Sequence, residues 1–215
     1  MKTARKKRPP ARKTFRHGDL RRALLEAGIQ LAREGGPQAV VLRQATRQAG
    51  VAPNAAYRHF SSHKDLLQAV RARALSSLAV AIEAEIAAVR RSKLPAEQAR
   101  ATLRAVGTGY LKFALAETGL FRTAFSVADR VEGDRDAAKA GKSGLNPFQL
   151  LGSALDLMVE AGALPKERRP GAEYVAWSAV HGLAFLVIEG PLTRASAKEI
   201  HAVSERLLLM VEKGL

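Results

Sequence analysis

Apolar residues recur along this chain with the period of a helix almost from end to end. From Asp19, the positions Leu20, Leu24, Ala27 and Leu31 share one face and Gly35-Gly36 stops the pattern, which predicts a first helix. "LRQATRQAG" at 42 to 50 predicts a short second helix ending on Gly50, a residue suited to the left-handed geometry of a helix C-terminus. Pro53 suits the first turn of a third helix over 53 to 60, because its missing N–H would be unbonded there anyway. Ser62 and Asp65 form a capping box that opens a long amphipathic helix through Leu66, Val70, Ala74, Leu78, Ile82, Ile86 and Val89, stopped before Pro95. A fifth helix aligns Leu103, Val106, Tyr110 and Phe113, closes at Thr118-Gly119, and precedes a short sixth around "LFRTAFS". Residues 127 to 146, "VADRVEGDRDAAKAGKSGLN", are polar, contain glycine and keep no period, so a mobile loop is expected. "PFQLLGSALDLMVEAG", a helix from about Pro170 to Ile188, and one from Ser196 to Lys213 with a capping box in Ser196 and Glu199, complete a count of nine. No segment alternates with period two over a useful length, so the expected fold is all-α.

The third helix is unusual in how little it offers a core. In "GVAPNAAYRHFSSHKDLL" at 50 to 67, only Ala56, Phe60 and the preceding Val51 can be buried, and Pro53, Asn54, Ala55, Tyr57, Arg58 and His59 must face something polar. Two short helices joined by a Gly-containing turn have the dimensions of a helix-turn-helix, in which the second enters the major groove. Tyr57, His59 and Lys64 can donate to phosphate oxygens, while Pro53, Asn54 and Ala55 lie where base edges would be. Asn can make two hydrogen bonds to adenine, and small apolar groups can touch a thymine methyl.

Charge adds weight to that reading. The chain of 215 residues carries a net +15, and residues 1 to 70 hold 15 Lys or Arg against 4 Asp or Glu, whereas 71 to 215 hold 20 against 16. One end is basic, which suits a polyanion, with an anionic membrane surface as the other candidate. Residues 2 to 16 alone carry eight basic groups and two prolines and should stay extended, either as a solubilising tail or as a DNA-contacting arm. The expected division is an arm over 1 to 16, a helix-turn-helix domain over 17 to 70, and a helical domain over 71 to 215. Hydrophobic residues at 47% of the chain rule out a disordered protein. No cysteine is present, so disulfides and thiolate metal sites are excluded, in keeping with a reducing, cytoplasmic setting. The first eighteen residues lack an apolar run and are no secretory signal. The longest weakly charged stretch, 174 to 188, is short of a bilayer span, so no membrane role is expected.

"HGDLRRALLEAGIQLAREGG", "LRQATRQAGVAPNAAYRHF" and "KDLL" together resemble the DNA-binding domain of the TetR/AcrR family of bacterial transcriptional regulators. "WSAVHGLAFLVIEGPL" at 177 to 192 is similar to the Trp-His-Gly stretch of one group of TetR C-terminal domains. The resemblance implies a homodimeric regulator, usually a repressor released from a palindromic operator in double-stranded DNA by a small-molecule effector. It implies that Tyr57 and His59 hold phosphates, that Arg43 reaches a base, and that residues 53 to 55 supply much of the remaining readout, with Arg58 beside them. This chain departs from the family where a phosphate-binding Lys usually stands: His63 occupies that position, with Lys64 next to it. Val41 and Ala52 stand where Ser or Thr commonly caps the second and third helices, and a missing cap costs on the order of 1 kcal/mol.

In the larger domain the candidates for an effector pocket are Tyr110, Phe113, Phe121, Phe125, Phe148, Met158, Trp177 and His181, an unusual share of few aromatics gathered on helices five to eight. Plain core packing is the competing explanation for each. On the last two helices, Ala172, Ala176, Ala179 and Gly182 allow close approach, and Ile200, Val203, Leu207 and Met210 form a stripe, either for internal packing or for a four-helix dimer interface. His59 and His63 have metal-ligand spacing but lack a third ligand, so no metal or other cofactor is expected. "GKS" at 141 to 143 lacks the first glycine and the strand of a phosphate loop, and Glu132, Asp134 and Asp136 suit a solvated loop better than paired catalytic carboxylates. No catalytic set emerges by spacing, so an enzyme is not expected; a non-specific basic protein is the main rival to a regulator.

Overall fold

The computed structural model describes residues 17 to 128 and 130 to 215, with side chains from Leu20 onward, so the basic arm over 1 to 16 lies outside the described residues. Among the described residues are nine α-helices, three short 3-10 turns and no strand. The helices are α1 (His17–Gly35), α2 (Leu42–Ala49), α3 (Pro53–Ala56), α4 (His63–Ala87), α5 (Pro95–Ala116), α6 (Thr118–Ala124), α7 (Pro147–Glu160), α8 (Ala172–Ile188) and α9 (Ala197–Gly214). None of them is long and apolar enough to cross a membrane.

Their ends follow from local chemistry. Gly50 closes α2 with φ 69°, a region open to glycine without a Cβ penalty. Pro53, Pro95 and Pro147 each start a helix. Asn146 with Gln149, and Ser196 with Glu199, form complete capping boxes on α7 and α9. The box expected on α4 is only half formed. Ser62 Oγ accepts from the Asp65 N–H at 3.1 Å, but the Asp65 carboxylate turns to the N–H and hydroxyl of Ser61, which the preceding bend brings within reach. The third helix is also shorter than its pattern suggested. It ends at Ala56 and continues as a turn, because Ala52 offers no cap and Phe60, 2% exposed, must swing into the core.

A continuous apolar cluster runs through the described chain, and α4 is its spine. Leu66 and Val70 lie against α1 at Gly28, and α1 in turn packs on α2 and α3, while Leu78 and Ile82 belong to the larger half with α5, α6 and α7. The expected division at residue 70 therefore falls inside an unbroken helix. Two glycines set how closely α4 is held. A Cβ on Gly28 would lie 2.8 Å from Val70 Cγ2, and one on Gly109 would lie 2.6 Å from the Ile82 Cα. Gly119 likewise seats α6 against the Ala32 and Arg33 carbonyls of α1.

The stretch 127 to 146, expected to be mobile, is tied down. Arg71, 2% exposed, donates to the Val127 carbonyl at 2.8 Å, and Ser76 Oγ donates to the Ala140 carbonyl at 2.7 Å. Lys139 pairs with Asp134 at 2.6 Å, and Asn146 Nδ2 donates to the Asp134 carbonyl at 3.0 Å. These partners are polar and distant in sequence, so no local period announces them. The "GKS" turn does hold an anion, but an internal one: Glu83 accepts from the N–H groups of Lys142 and Ser143, both at 2.8 Å, and from Ser143 Oγ at 2.6 Å. Burial works to raise the Glu83 pKa, yet the Ser143 and Lys142 hydrogen bonds outweigh it and hold the carboxyl below the usual carboxylate range.

Because the atoms facing Gly109 are backbone and cannot rotate away, Gly109→Ala should destabilise the protein by roughly 1–3 kcal/mol. Gly214, in the last turn of α9 with its Cβ position open, should accept alanine with no loss. Urea unfolding of the two variants against wild type measures both.

Candidate DNA-reading face and effector cavity

α2 buries Leu42, Ala45 and Thr46 and exposes Arg43, Gln44, Arg47 and Gln48. Thr46, 2% exposed, satisfies its hydroxyl on the Arg43 carbonyl at 2.8 Å, so a polar side chain in this core costs little. After the Gly50 turn, α3 presents Pro53 and Asn54 to solvent with Ala55 half-buried, while Ala56 goes into the core. Tyr57 is 58% exposed, Arg58 is exposed, and His59 is half-buried. His63 and Lys64, both exposed, open α4. Neither Val41 nor Ala52 caps its helix with a side chain, as the sequence implied. The Arg21 guanidinium lies 5.2 Å from the Phe60 ring centre, bringing a cation of α1 to the same corner. Asp65, the only acid between residues 35 and 70, has its pKa lowered, first by the Ser61 hydroxyl. The face is thus a set of cations and amides with one spoken-for carboxylate, and Gln44, Arg47 and Gln48 join it beyond the residues singled out from sequence.

The larger half encloses a cavity of about 70 Å³. Leu75 and Ile82 of α4 form its floor, and Val106 and Tyr110 of α5, Phe148 and Leu151 of α7 and Trp177 of α8 stand around it, with Phe125. Four of the eight aromatic-pocket candidates therefore line it: Tyr110, Phe125, Phe148 and Trp177. Phe121 and His181 instead edge an open groove of about 380 Å³ that also touches Pro37 and Gln38, with Phe125 shared between the two. Phe113 and Met158 line neither, because they turn into the core at 5% and 0% exposure. Asp134, Lys139 and Asn146 also reach the cavity, and sequence reasoning had left them in solvent. Asn146-Pro147 with Gln149 was a readable helix start; nothing local marked Asp134 and Lys139 for burial.

Aromatic rings join cavity and groove: Tyr110 meets Phe121 edge-on at 5.6 Å, Phe121 meets Phe125 at 5.1 Å, and Trp177 meets His181 at 5.9 Å. The Trp177 Nε1–H donates to the Tyr110 hydroxyl at 3.1 Å, and that hydroxyl lies 2.7 Å from His181 Nδ1. A phenol that donates to Nδ1 needs a neutral imidazole with its proton on Nε2. Burial favours the same state, lowering the His181 pKa and raising that of Tyr110.

Residues 24 to 70 match the family model described as bacterial regulatory proteins, tetR family, and residues 103 to 211, just over half the chain, match that of the tetracyclin repressor-like C-terminal domain. The chain belongs to the TetR family. It is therefore a DNA-binding transcriptional regulator by kinship, built on the all-helical frame of TetR proteins. A protein of unknown function from Rhodococcus sp. RHA1 shares the fold with a TM-score of 0.69 and 26% identity, over 92% of this chain and 97% of that one. A candidate TetR family regulator from Shewanella sp. PV-4 superposes with a TM-score of 0.58 at 17% identity, covering 88% and 95%. PfmR, a TetR family transcriptional regulator from Thermus thermophilus, gives 0.53 at 20% identity, covering 86% and 97%. No curated protein matches this TetR chain in sequence.

His181 should make stability fall with acidity. Its folded pKa is lowered, so the unfolded chain binds the proton more readily; the stabilisation is whole above the ordinary histidine pKa and is lost as pH falls through the folded value. Thermal melts at pH 7.5 and pH 5 should show a larger drop for wild type than for His181→Gln, and equal drops would refute it.

Proposed function

We propose that the protein is a dimeric, sequence-specific repressor that a small apolar molecule releases from a palindromic operator. The observation that carries the reading is the division of labour in α3: Ala56 completes the core while Pro53, Asn54 and Tyr57 are left outside it. A helix with so little to bury is accounted for by a partner surface, and Asn54 with Arg43 offers hydrogen bonds that discriminate adenine and guanine edges. Tyr57, His59, His63, Lys64 and Arg58 supply donors for the phosphates that fix the register. The His63 imidazole in place of a flexible lysine ammonium makes a weaker clamp, and Lys64 carries more of the phosphate contact.

Dimerisation runs through α8 and α9. Ala172 and Ala176, weighed between internal packing and the dimer interface, are buried because α8 packs on α5 with that side, together with Val180 and Leu183. The outward side of α8 is Val175, Gly182, Phe185 and Leu186. On α9, Val203 and Met210 are exposed, Ile200 and Leu207 are half-buried, and Leu208 goes inward. Large exposed apolar side chains on adjacent helices support an interface between two copies. The effector class follows from the cavity wall, which is aliphatic and aromatic with a few polar groups at one side: a planar, largely uncharged molecule. At about 70 Å³ the cavity is well below the ~300 Å³ of a drug-sized site, so the wall must yield to admit it.

Selection of bound sequences from a random DNA pool at near-physiological salt should yield a palindrome with half-sites about one helical turn apart. Asn54→Ala should relax preference at one position of each half-site, by roughly 1–3 kcal/mol, while Lys64→Ala weakens all sequences alike. Binding without enrichment, vanishing as salt rises, would instead mark a non-specific basic protein. Val175→Glu with Met210→Glu should give a folded monomer, seen by sedimentation, that no longer holds the palindrome. Trp177 is the only tryptophan, so quenching of its emission by nitrobenzene should saturate if the cavity takes planar neutral molecules, and stay linear if it does not.

A further inference from the structure

The wall of the cavity outside the long helices is the segment from Val131 to Asn146; the Tyr174 hydroxyl of α8 donates to Glu132 near its start at 2.7 Å, and Ser76 and Glu83 of α4 hold its second half. Val131, Asp134, Lys139 and Asn146 reach the cavity from this segment. The floor opposite is α4, through Leu75 and Ile82, seven residues apart. Their immediate neighbours Ser76 and Glu83, also seven apart, form a parallel row on the same helix and grip the segment. Ser76 Oγ donates to the Ala140 carbonyl at 2.7 Å, and Glu83 takes three hydrogen bonds from the Lys142–Ser143 turn. Gly141 fits this grip, since any Cβ there would collide with the Glu83 carboxylate. At its far end the same helix begins with His63 and Lys64, and its first turns hold Leu66 and Val70 against Gly28 of α1, the helix on which α2 packs.

Building on the regulator reading above, we propose that residues 131 to 146 are a lid over the cavity, and that the Ser76 and Glu83 grip on it is the link by which an occupied cavity is sensed by α4. The other walls, α4, α5, α7 and α8, are embedded in the core and cannot part without exposing apolar surface. The lid is held mainly by polar contacts that water can replace, so it is the wall that yields. An occupant of the enlarged cavity touches Leu75 and Ile82 directly and strips the adjacent row of its partners. α4 then settles differently against α1, and the two DNA-reading faces lose their common register. Sites coupled through one element bias each other equally in both directions. DNA binding must therefore tighten the lid, and loosening the lid must weaken DNA binding with no ligand present.

That reciprocity gives a test that needs no knowledge of the effector. Full-length wild type and Glu83→Gln are compared on the DNA selected from the random pool, and amide hydrogen exchange is followed at Lys142 and Ser143. Glu83→Gln should speed exchange at both amides and weaken operator binding roughly tenfold, within the range usual for coupled sites. In wild type, bound operator should slow the same two amides. Ser143→Ala, a substitution at an exposed residue, should give a smaller change in the same direction and serves if Glu83→Gln melts early. The chain has no cysteine, so Ser76→Cys with Ala140→Cys introduces a single disulfide that can lock the lid. Placed on Glu83→Gln, it should restore operator affinity when oxidised and lose it again on reduction.

Faster exchange at Lys142 and Ser143 with operator affinity unchanged would overturn the link between lid and DNA. Unchanged exchange would overturn the grip itself. Failure of folded wild type to select any sequence would instead sink the regulator reading, and is recognised by being independent of residue 83.

Discussion

A helix that runs through both halves of one continuous core cannot shift in one half without disturbing the other, and that constraint on α4 organises this molecule. Its first turns are pressed against α1 where Gly28 leaves room for Val70, and its second half against α5 where Gly109 leaves room for the Ile82 backbone. Between these clamps no break, proline or bulge interrupts it. Interiors packed at crystal-like density do not absorb displacement locally; they pass it on or resist it. The helix-turn-helix is too small to hold together comfortably alone, so sharing α4 gives it a foundation and makes it answerable to the larger half.

The long helices were legible because each advertises itself twice, by an apolar period and by an end signal such as Pro95 or the Ser196 capping box, whereas α3 had only Pro53 and the Gly50 turn before it. The loop after Ser126 was not, since its order depends on Arg71, Ser76 and Glu83, polar residues of a distant helix that look solvent-facing in a helical pattern. The inward face of α8 stayed open in the sequence for a related reason: Ala172, Ala176, Ala179 and Gly182 are small on more than one side, so spacing alone does not say which side meets α5. On the DNA-reading side the reading from residues was fuller. Exposure follows there from what α3 lacks, and a lack of apolar bulk can be seen in a sequence as readily as its presence.

The aromatic cluster shows how far composition can lead. Gathering most aromatics on four helices correctly signalled a common neighbourhood, yet only four rings meet the cavity, and His181 stands behind them. Burial favours its neutral form, and the Tyr110 hydroxyl, itself engaged by Trp177, ties α5 to α8 across the wall between cavity and groove. Such buried polar chains hold aromatic walls in one arrangement, which apolar packing alone does less sharply.

The length of α4 also makes it a lever. From Glu83 back to Lys64 is nineteen residues, a span of about 28 Å at the rise of an α-helix, so a tilt of about five degrees at the lid displaces the DNA end by about 2.5 Å. That is close to the reach of a hydrogen bond. Under the proposed coupling, a change at the cavity too small to disturb packing there would thus shift the other end of α4 by about the length of one hydrogen bond.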